Sequence, residues 1–208
     1  MTGNEFQDTL AAERVVAIVR CGSAAQAVDK AEALLADGIR IVEVSLNTPG
    51  AVDAIAELAR RHGDASGTVI GAGTVLDARS VEEVAAAGAR FFVSPVLDED
   101  AVAVAGRLGV AAVPGCLTPT EMLRAHLAGA AAVKVFPATA WSPEGLANVA
   151  RAMPFLRLIP TGGVGVDDAA QWLAAGAAGL GIGSALEKPG NVARLREAIA
   201  SLPAKDMP

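Results

Sequence analysis

Short runs of β-branched and apolar residues alternate with alanine-rich amphipathic segments along the whole chain. The β-rich runs start 20 to 29 residues apart, which is enough for one strand, one helix and two short loops. The predicted strands span residues 14–20, 39–46, 68–75, 91–96, 111–116, 132–138, 157–163 and 179–184. An amphipathic segment follows each strand, and another at 4–13 predicts an extra helix that covers the floor of the structure.

Eight strand–helix units predict an α/β protein with a parallel sheet, because each crossover between parallel strands carries a helix. An open doubly wound sheet usually has fewer strands, whereas closing eight strands into a barrel removes both sheet edges. No linker, composition shift or charge run marks a domain boundary. We therefore predict a minimal (β/α)8 TIM barrel, a single domain over residues 1–208 with an extra N-terminal helix.

Three hydroxyl–proline pairs predict where helices begin. Thr48-Pro49, Thr118-Pro119 and Ser142-Pro143 each place an N-cap residue before a proline suited to the first helical turn. Thr118 also has capping-box spacing to Glu121.

The composition is that of a globular chain, with 52% hydrophobic and 19% charged residues. No apolar run reaches the roughly 18 to 20 residues of a membrane span. The first residues carry acidic groups and lack the apolar segment of a signal peptide. We expect a cytoplasmic protein that does not bind membranes.

The charge and the metal-ligand residues exclude two further classes. A net charge of −6 argues against binding to nucleic acid, although local backbone dipoles can still bind a small anion. Cys21, Cys116, His62 and His126 do not stand at metal-binding spacings, so no metal site is expected. Counting leaves one disulfide open, but a cytosolic chain keeps such thiols reduced.

Lys134 is the sharpest candidate for chemistry at the carboxyl ends of the strands, where barrel enzymes carry their active sites. The chain has four lysines, and only Lys134 interrupts an apolar strand, AAAVKVFPA. Period-two alternation directs Lys134 and Phe136 into the barrel. Burial disfavours the ammonium form and lowers its pKa, and the resulting neutral amine can attack a carbonyl. A buried ion pair with Glu43 is the structural alternative.

Glu43 follows the same alternation in the strand IVEVSL, where it shares an inward face with Ile41 and Ser45. One carboxylate near one amine is the minimum set for imine chemistry: the amine forms the Schiff base and the acid relays protons. A role as salt-bridge partner is compatible with the same position.

Glycine-rich segments end the last two predicted strands, TGGVG at 161–165 and GIGS at 181–184. Glycines let backbone N–H groups approach an anion, and the loops after strands seven and eight are the usual phosphate site of this barrel. Glycine also serves tight turns. The predicted phosphate-binding residues are Gly162, Gly163, Gly183 and Ser184.

Taken in order, EVSLNTP, GAGTVL, SP, PGC, KVFP, PTGG and GIGS resemble the 2-keto-3-deoxy-6-phosphogluconate (KDPG) aldolase family. That family includes the 4-hydroxy-2-oxoglutarate (KHG) and the 2-dehydro-3-deoxy-6-phosphogalactonate aldolases. The resemblance covers nearly the whole chain. It implies a (β/α)8 class I aldolase that assembles as a homotrimer and needs no metal or other cofactor. It implies cleavage of KDPG to pyruvate and glyceraldehyde 3-phosphate, as in the Entner–Doudoroff route, and of KHG to pyruvate and glyoxylate.

The resemblance also assigns roles. Lys134 is the Schiff-base residue and Glu43 the proton relay. Thr74 is expected near the pyruvyl carboxylate, and Pro95 and Phe136 are expected to line the pocket.

One position departs from the family pattern. Asn47 stands where the phosphogluconate aldolases have an arginine that helps bind the carboxylate, and we expect Arg20 to supply the missing charge. The runs LNTP, PGCLTPTE and TAWSP resemble the phosphogalactonate branch, whereas Thr161 resembles the phosphogluconate branch. Because Thr161 is expected near the C4 stereocentre, we favour KDPG as substrate, with the galactonate compound as the alternative.

Two rival classes share the glycine loops. A phosphate-binding barrel synthase or epimerase forms no covalent intermediate and does not require a lone lysine on strand six. A non-catalytic sugar-phosphate sensor could discard Lys134 and Glu43, so the presence of both argues against it. Only an imine-forming enzyme is trapped by borohydride with pyruvate.

Overall fold

The computed structural model describes residues 3–63 and 67–202. Strands and helices alternate through these residues as the sequence predicts. The strands are β1 (Val15–Val19), β2 (Ile41–Ser45), β3 (Val69–Gly73), β4 (Phe91–Val93), β5 (Ala111–Val113), β6 (Gly115–Cys116), β7 (Val133–Val135), β8 (Leu158–Pro160) and β9 (Leu180–Ile182). The helices are α1 (Gly3–Glu13), α2 (Ala24–Ala36), α3 (Ala51–His62), α4 (Ala78–Ala86), α5 (Glu99–Leu108), α6 (Pro119–Leu127), α7 (Pro143–Ala152), α8 (Ala169–Ala174) and α9 (Asn191–Ala200).

The strands form two parallel sheets rather than one continuous eight-stranded ladder. A curled six-stranded sheet has the order β5-β4-β3-β2-β1-β9, and a three-stranded sheet has the order β6-β7-β8. The predicted strand 111–116 is divided at Pro114, which has no N–H to donate to a ladder. The prediction of a parallel α/β fold is confirmed, whereas the single closed ladder is not what the strand pairing shows.

Hydrogen bonds nevertheless join the two sheets at both seams. At the first seam the amide of Ala131, just before β7, donates to the carbonyl of Ala112 in β5 at 2.9 Å. At the other seam Thr161 and Gly181 form a parallel bridge, and the Ala178 amide donates to the Leu158 carbonyl at 2.8 Å.

Alternation along the strands separates two apolar layers. In β2, Ile41 belongs to an inner cluster, whereas Val42 and Val44 belong to the larger cluster between strands and helices. In β7, Val133 and Val135 face the helices and the neighbouring Ala132 faces inward. Lys134 and Glu43 therefore point into the same interior, as the period-two pattern predicts.

Helix α1 closes one end of that interior. Phe6 and Leu10 are fully buried in the inner cluster, and the Phe6 ring stacks on Phe91 with centroids 5.0 Å apart. Their partners Val16 and Ile41 come from the first half of their strands. The floor helix predicted at 4–13 is confirmed, and the opposite end, where the strands finish, is left open.

Two of the three predicted N-caps are confirmed. Thr118 and Glu121 form a capping box at α6, and the Ser142 hydroxyl caps α7. The prediction for Thr48 is wrong, because α3 begins at Ala51 after Gly50 and the Thr48 hydroxyl accepts instead from the Cys21 amide at 3.0 Å. Nowhere in the described ranges is a helix both long and apolar enough to cross a bilayer.

Candidate active site

A cavity of about 720 Å³ opens at the carboxyl ends of the strands. Of the residues predicted for the site, all except Asn47 and Pro95 line it. They are Arg20, Glu43, Thr74, Lys134, Phe136, Thr161, Gly162, Gly163, Gly183 and Ser184. The topology therefore brings together side chains that the sequence spreads over 165 positions, from Arg20 to Ser184.

Lys134 lies in the middle of β7 and is only 7% exposed. Its Nζ atom is 4.4 Å from the centroid of the Phe136 ring, which gives the cation a weak π contact. Burial lowers the pKa of the Lys134 ammonium group; the Glu43 charge opposes this effect and the Arg20 charge adds to it. The side chain is thereby shifted toward the neutral, nucleophilic amine.

Glu43 faces it from β2 and is 3% exposed. Burial raises the pKa of the Glu43 carboxyl group, and the charges of Lys134 and Arg20 only partly offset the rise. Within the described residues no ion pair closer than 4.0 Å joins Glu43 to Lys134. Burial thus shifts the pKa values of the Glu43 carboxyl group and the Lys134 ammonium group toward each other, and this favours proton transfer between groups that share one cavity.

Two glycines in the quoted motifs, Gly73 and Gly181, were not predicted as site residues but make room for side chains of the cavity. A Cβ atom at Gly73 would overlap the carboxylate of Glu43, and one at Gly181 would overlap the hydroxyl of Thr161. Both glycines lie inside strands, where glycine often marks the close approach of another group. The occurrence of each glycine in a strand was therefore the sequence signal that could have identified it.

Thr74, directly after β3, has a left-handed backbone with φ of 62°. This conformation is rare for a β-branched residue. Its hydroxyl oxygen lies 3.0 Å from the hydroxyl oxygen of Ser45, which is completely buried at the end of β2. Ser45 was recognised as inward-facing but was not predicted as a site residue.

The glycine-rich loop after β8 presents unused backbone donors. Gly162 and Gly163 have φ values of 84° and 95°, and within the described residues neither amide donates a hydrogen bond to the protein. Behind them the loop is anchored by Asp168, whose carboxylate accepts from the Gly165 amide at 2.7 Å and from the Trp172 indole at 3.0 Å. The arrangement is suited to an anion.

The second glycine segment leads from Gly183 into a 3₁₀ turn, Ser184–Glu187. The sequence reasoning missed Glu187, which lines the cavity beside Ser184 and Gly163. Its carboxylate pairs at 2.8 Å with the ammonium group of Lys30 on α2. This ion pair is partly exposed and spans the rim of the cavity.

Arg20 lies at the same rim, with an exposed side chain. Asn47 is also exposed but lies outside the cavity, and its backbone amide donates to the Ser45 hydroxyl at 3.4 Å. Pro95 lies outside the cavity as well, with its backbone packed against Gly115.

The ranges 3–63 and 67–202 contain no cluster of three His, Cys, Asp or Glu side chains able to hold a metal ion.

The chain matches the aldolase family described as "KDPG and KHG aldolase" over residues 6–197. A probable 2-dehydro-3-deoxy-6-phosphogalactonate aldolase from Rhizobium meliloti (strain 1021) is 37% identical over 195 residues, covering 92% of this chain and 91% of the relative.

Solved structures agree with that match. One described as "Native KDPGal structure" superposes with a TM-score of 0.83 at 32% identity, covering 89% of this chain and 94% of its own. The KDPG aldolase from Legionella pneumophila, solved with pyruvate captured at low pH as a covalent carbinolamine intermediate, gives a TM-score of 0.79 at 28% identity, covering 93% and 96%.

Proposed function

Because the chain belongs to the KDPG and KHG aldolase family and is therefore a carbon–carbon lyase, we propose that it cleaves a 2-dehydro-3-deoxy-6-phospho sugar acid to pyruvate and glyceraldehyde 3-phosphate. We assign the Schiff base to Lys134 and proton transfer to Glu43. The observation that carries this assignment is the pairing of a buried amine of lowered pKa with a buried carboxyl group of raised pKa in one cavity.

The proposed reaction begins when the neutral amine of Lys134 attacks the C2 carbonyl. The Glu43 carboxylic acid gives its proton to the carbonyl oxygen, and the carbinolamine then loses water to form an iminium ion. The Glu43 carboxylate next takes the proton of the C4 hydroxyl, the C3–C4 bond breaks and the aldehyde leaves. The remaining enamine takes that proton back at C3 to form a second iminium ion. Water hydrolyses this ion to pyruvate and the free amine, and the proton released returns to the Glu43 carboxylate.

The substrate carries a carboxylate and a phosphate, and we propose that each is bound at a different end of the cavity. We propose that Thr74 and Arg20 bind the carboxylate, since one offers a hydroxyl and the other a cation beside Lys134. The free amides of Gly162 and Gly163, with Gly183 and Ser184, are proposed to bind the phosphate. Phe136 lines the apolar wall between them. Asn47 and Pro95 are given no contact with substrate.

We propose the galactonate compound as the principal substrate. Its support is the match to a probable phosphogalactonate aldolase together with Asn47 in the LNTP run. Thr161 had favoured KDPG, but its hydroxyl donates to the Ile159 carbonyl at 3.1 Å, so toward substrate it can act only as an acceptor. KDPG remains the second candidate because Thr161 does line the cavity.

The test compares kcat/KM for the two C4 epimers, with KHG as a substrate without phosphate. A higher kcat/KM for the galactonate epimer supports the proposal. A higher kcat/KM for KDPG would instead identify KDPG as the principal substrate. A synthase or epimerase of the rival class would release pyruvate from neither.

We also propose that the two sheets together make a (β/α)8 barrel of one domain and that three copies assemble. Hydrogen bonds across both seams support closure. Leu76 and Val96 are 54% and 51% exposed and line one open groove together with Leu97, three acidic residues (Asp98, Glu99 and Asp100) and Arg124. We propose that a second copy of this chain covers these two exposed apolar side chains. Sedimentation equilibrium of the wild type and of Leu76→Asp tests the assembly.

A further inference from the structure

The backbone of Thr74 is held in a conformation that threonine rarely adopts. Its φ of 62° follows Gly73, at the point where the chain leaves β3 and reaches the cavity. Such a residue persists in this region only where its surroundings favour it, and such conformations are common at binding sites. The contact that engages the Thr74 side chain is the hydroxyl of Ser45 at 3.0 Å.

Ser45 is completely buried, so its hydroxyl group needs partners within the protein. The backbone amide of Asn47 donates to the Ser45 oxygen at 3.4 Å, which accounts for one of its acceptor positions. Within the described residues the remaining partner of the Ser45 oxygen is the Thr74 hydroxyl oxygen.

These two partners of Ser45 determine the direction of the hydrogen bond between the Ser45 and Thr74 hydroxyl groups. If Thr74 donated to Ser45, the proton of Ser45 would be left without an acceptor at a site with no access to water. If Ser45 donates, each buried group is satisfied and the proton of Thr74 remains free. The order is therefore Asn47 amide to Ser45 hydroxyl to Thr74 hydroxyl.

We propose that Ser45 is a positioning residue, which donates to Thr74 and thereby leaves the Thr74 proton to be donated into the cavity. The group that fits is a carboxylate, because it accepts hydrogen bonds only and the same cavity carries Arg20 and Lys134. The inference rests on the proposed aldolase function and refines how the carboxylate of the 2-keto acid is recognised. Asn47 then contributes through its backbone rather than through its side chain.

A double-mutant cycle tests the proposal. The half-saturating pyruvate concentration is measured from deuterium exchange at the pyruvate methyl group, for the wild type, Ser45→Ala, Thr74→Val and the double variant. Each single variant is expected to raise this concentration about tenfold, the worth of about 1.4 kcal/mol in binding, with a smaller change in the maximal exchange rate. In the Thr74→Val background Ser45→Ala is expected to add less than about twofold, because the donor that it orients is already gone.

Two further variants keep the test decisive. In a Thr74→Ser background, where a hydroxyl is retained, the effect of Ser45→Ala is expected to persist. If Ser45→Ala does not fold, Ser45→Cys preserves the volume with a much weaker donor and replaces it throughout the cycle. Equal effects of the Ser45 change in the threonine and valine backgrounds would overturn the proposal. A wild type that exchanges no deuterium and forms no borohydride adduct with pyruvate would instead overturn the proposed function itself.

Discussion

The carboxylate of Glu43 occupies the space that a side chain at Gly73 would fill. The two residues are neighbours on β2 and β3, where Glu43 pairs with Gly71 and Ser45 with Gly73. The three atoms nearest to a Cβ atom on Gly73 would all belong to the side chain of Glu43. The absence of a side chain at residue 73 therefore determines where the buried acid can lie.

Replacing Gly73 by alanine is expected to displace Glu43 and to slow deuterium exchange at the pyruvate methyl group by about 10²-fold, the lower range for a positioned acid–base group. Overpacking is expected to cost about 1–3 kcal/mol of the free energy of unfolding, measured in urea. Gly106→Ala, in helix α5 with no atom within 4 Å of the added Cβ, is the control: it is expected to leave the exchange rate unchanged and to stabilise the fold by about 0.5–1 kcal/mol rather than destabilise it. An exchange rate unchanged in Gly73→Ala would show that the position of Glu43 does not matter.

The electrostatics of the pair predict a pH dependence of Schiff-base formation. The lowered pKa of Lys134 means that the reactive amine is already formed below the usual lysine range near 10.4, so the rate of trapping with cyanoborohydride and pyruvate rises with pH and levels off below that value. Glu43→Gln removes the charge that raises the Lys134 pKa, so the midpoint of the rise is expected to move to lower pH. A midpoint that moves to higher pH would contradict this electrostatic account.

Much of this site could be predicted from the sequence because period-two alternation is local. Lys134 and Glu43 each interrupt an apolar strand, and the inward direction of both follows from their neighbours Ala132 and Ile41. The helix that covers the floor was equally predictable from its amphipathic pattern.

What the sequence did not predict depends on contacts between distant segments. Thr48 has the local signature of an N-cap, but its hydroxyl is used by the Cys21 amide from the neighbouring strand end. The hydroxyl pair of Ser45 and Thr74 exists only because β2 and β3 end side by side. Glu187 enters the cavity through a turn whose ion pair with Lys30 bridges residues 157 positions apart.

The phosphate site predicts a difference between substrates. An alanine at Gly163 would adopt a strained positive φ, and its Cβ would overlap the Thr139 methyl group beside the free loop amides. Gly163→Ala is expected to raise KM for the phosphorylated substrate about tenfold and to leave KM for KHG nearly unchanged, because KHG has no phosphate. Gly129→Ala, with a similar φ of 98° and open space around it, controls for backbone strain alone. Equal losses on both substrates would assign the loop a purely structural role.

The ion pair between Lys30 and Glu187 predicts that replacing one partner changes kcat/KM for the phosphorylated substrate in the opposite direction to replacing the other. Lys30 neutralises the Glu187 carboxylate that lines the cavity beside the phosphate loops. Lys30→Met is expected to lower kcat/KM for the phosphorylated substrate by roughly threefold to tenfold at low salt, and less at high salt, whereas Glu187→Gln is expected to raise it. Arg60→Met, which breaks an exposed pair with Glu57 on α3, is the control. Changes of the same sign for Lys30→Met and Glu187→Gln would refute the charge balance.

We propose that Lys134 forms the covalent intermediate, and peptide mass spectrometry after borohydride reduction in the presence of pyruvate identifies the residue that carries it. We expect one reduced pyruvyl group on the peptide that contains Lys134, and no such adduct in a folded Lys134→Ala variant. The chain has three other lysines, Lys30, Lys188 and Lys205, which serve as internal controls. An adduct on any of these, or a wild type that acquires no adduct, would rule out Lys134 as the Schiff-base residue.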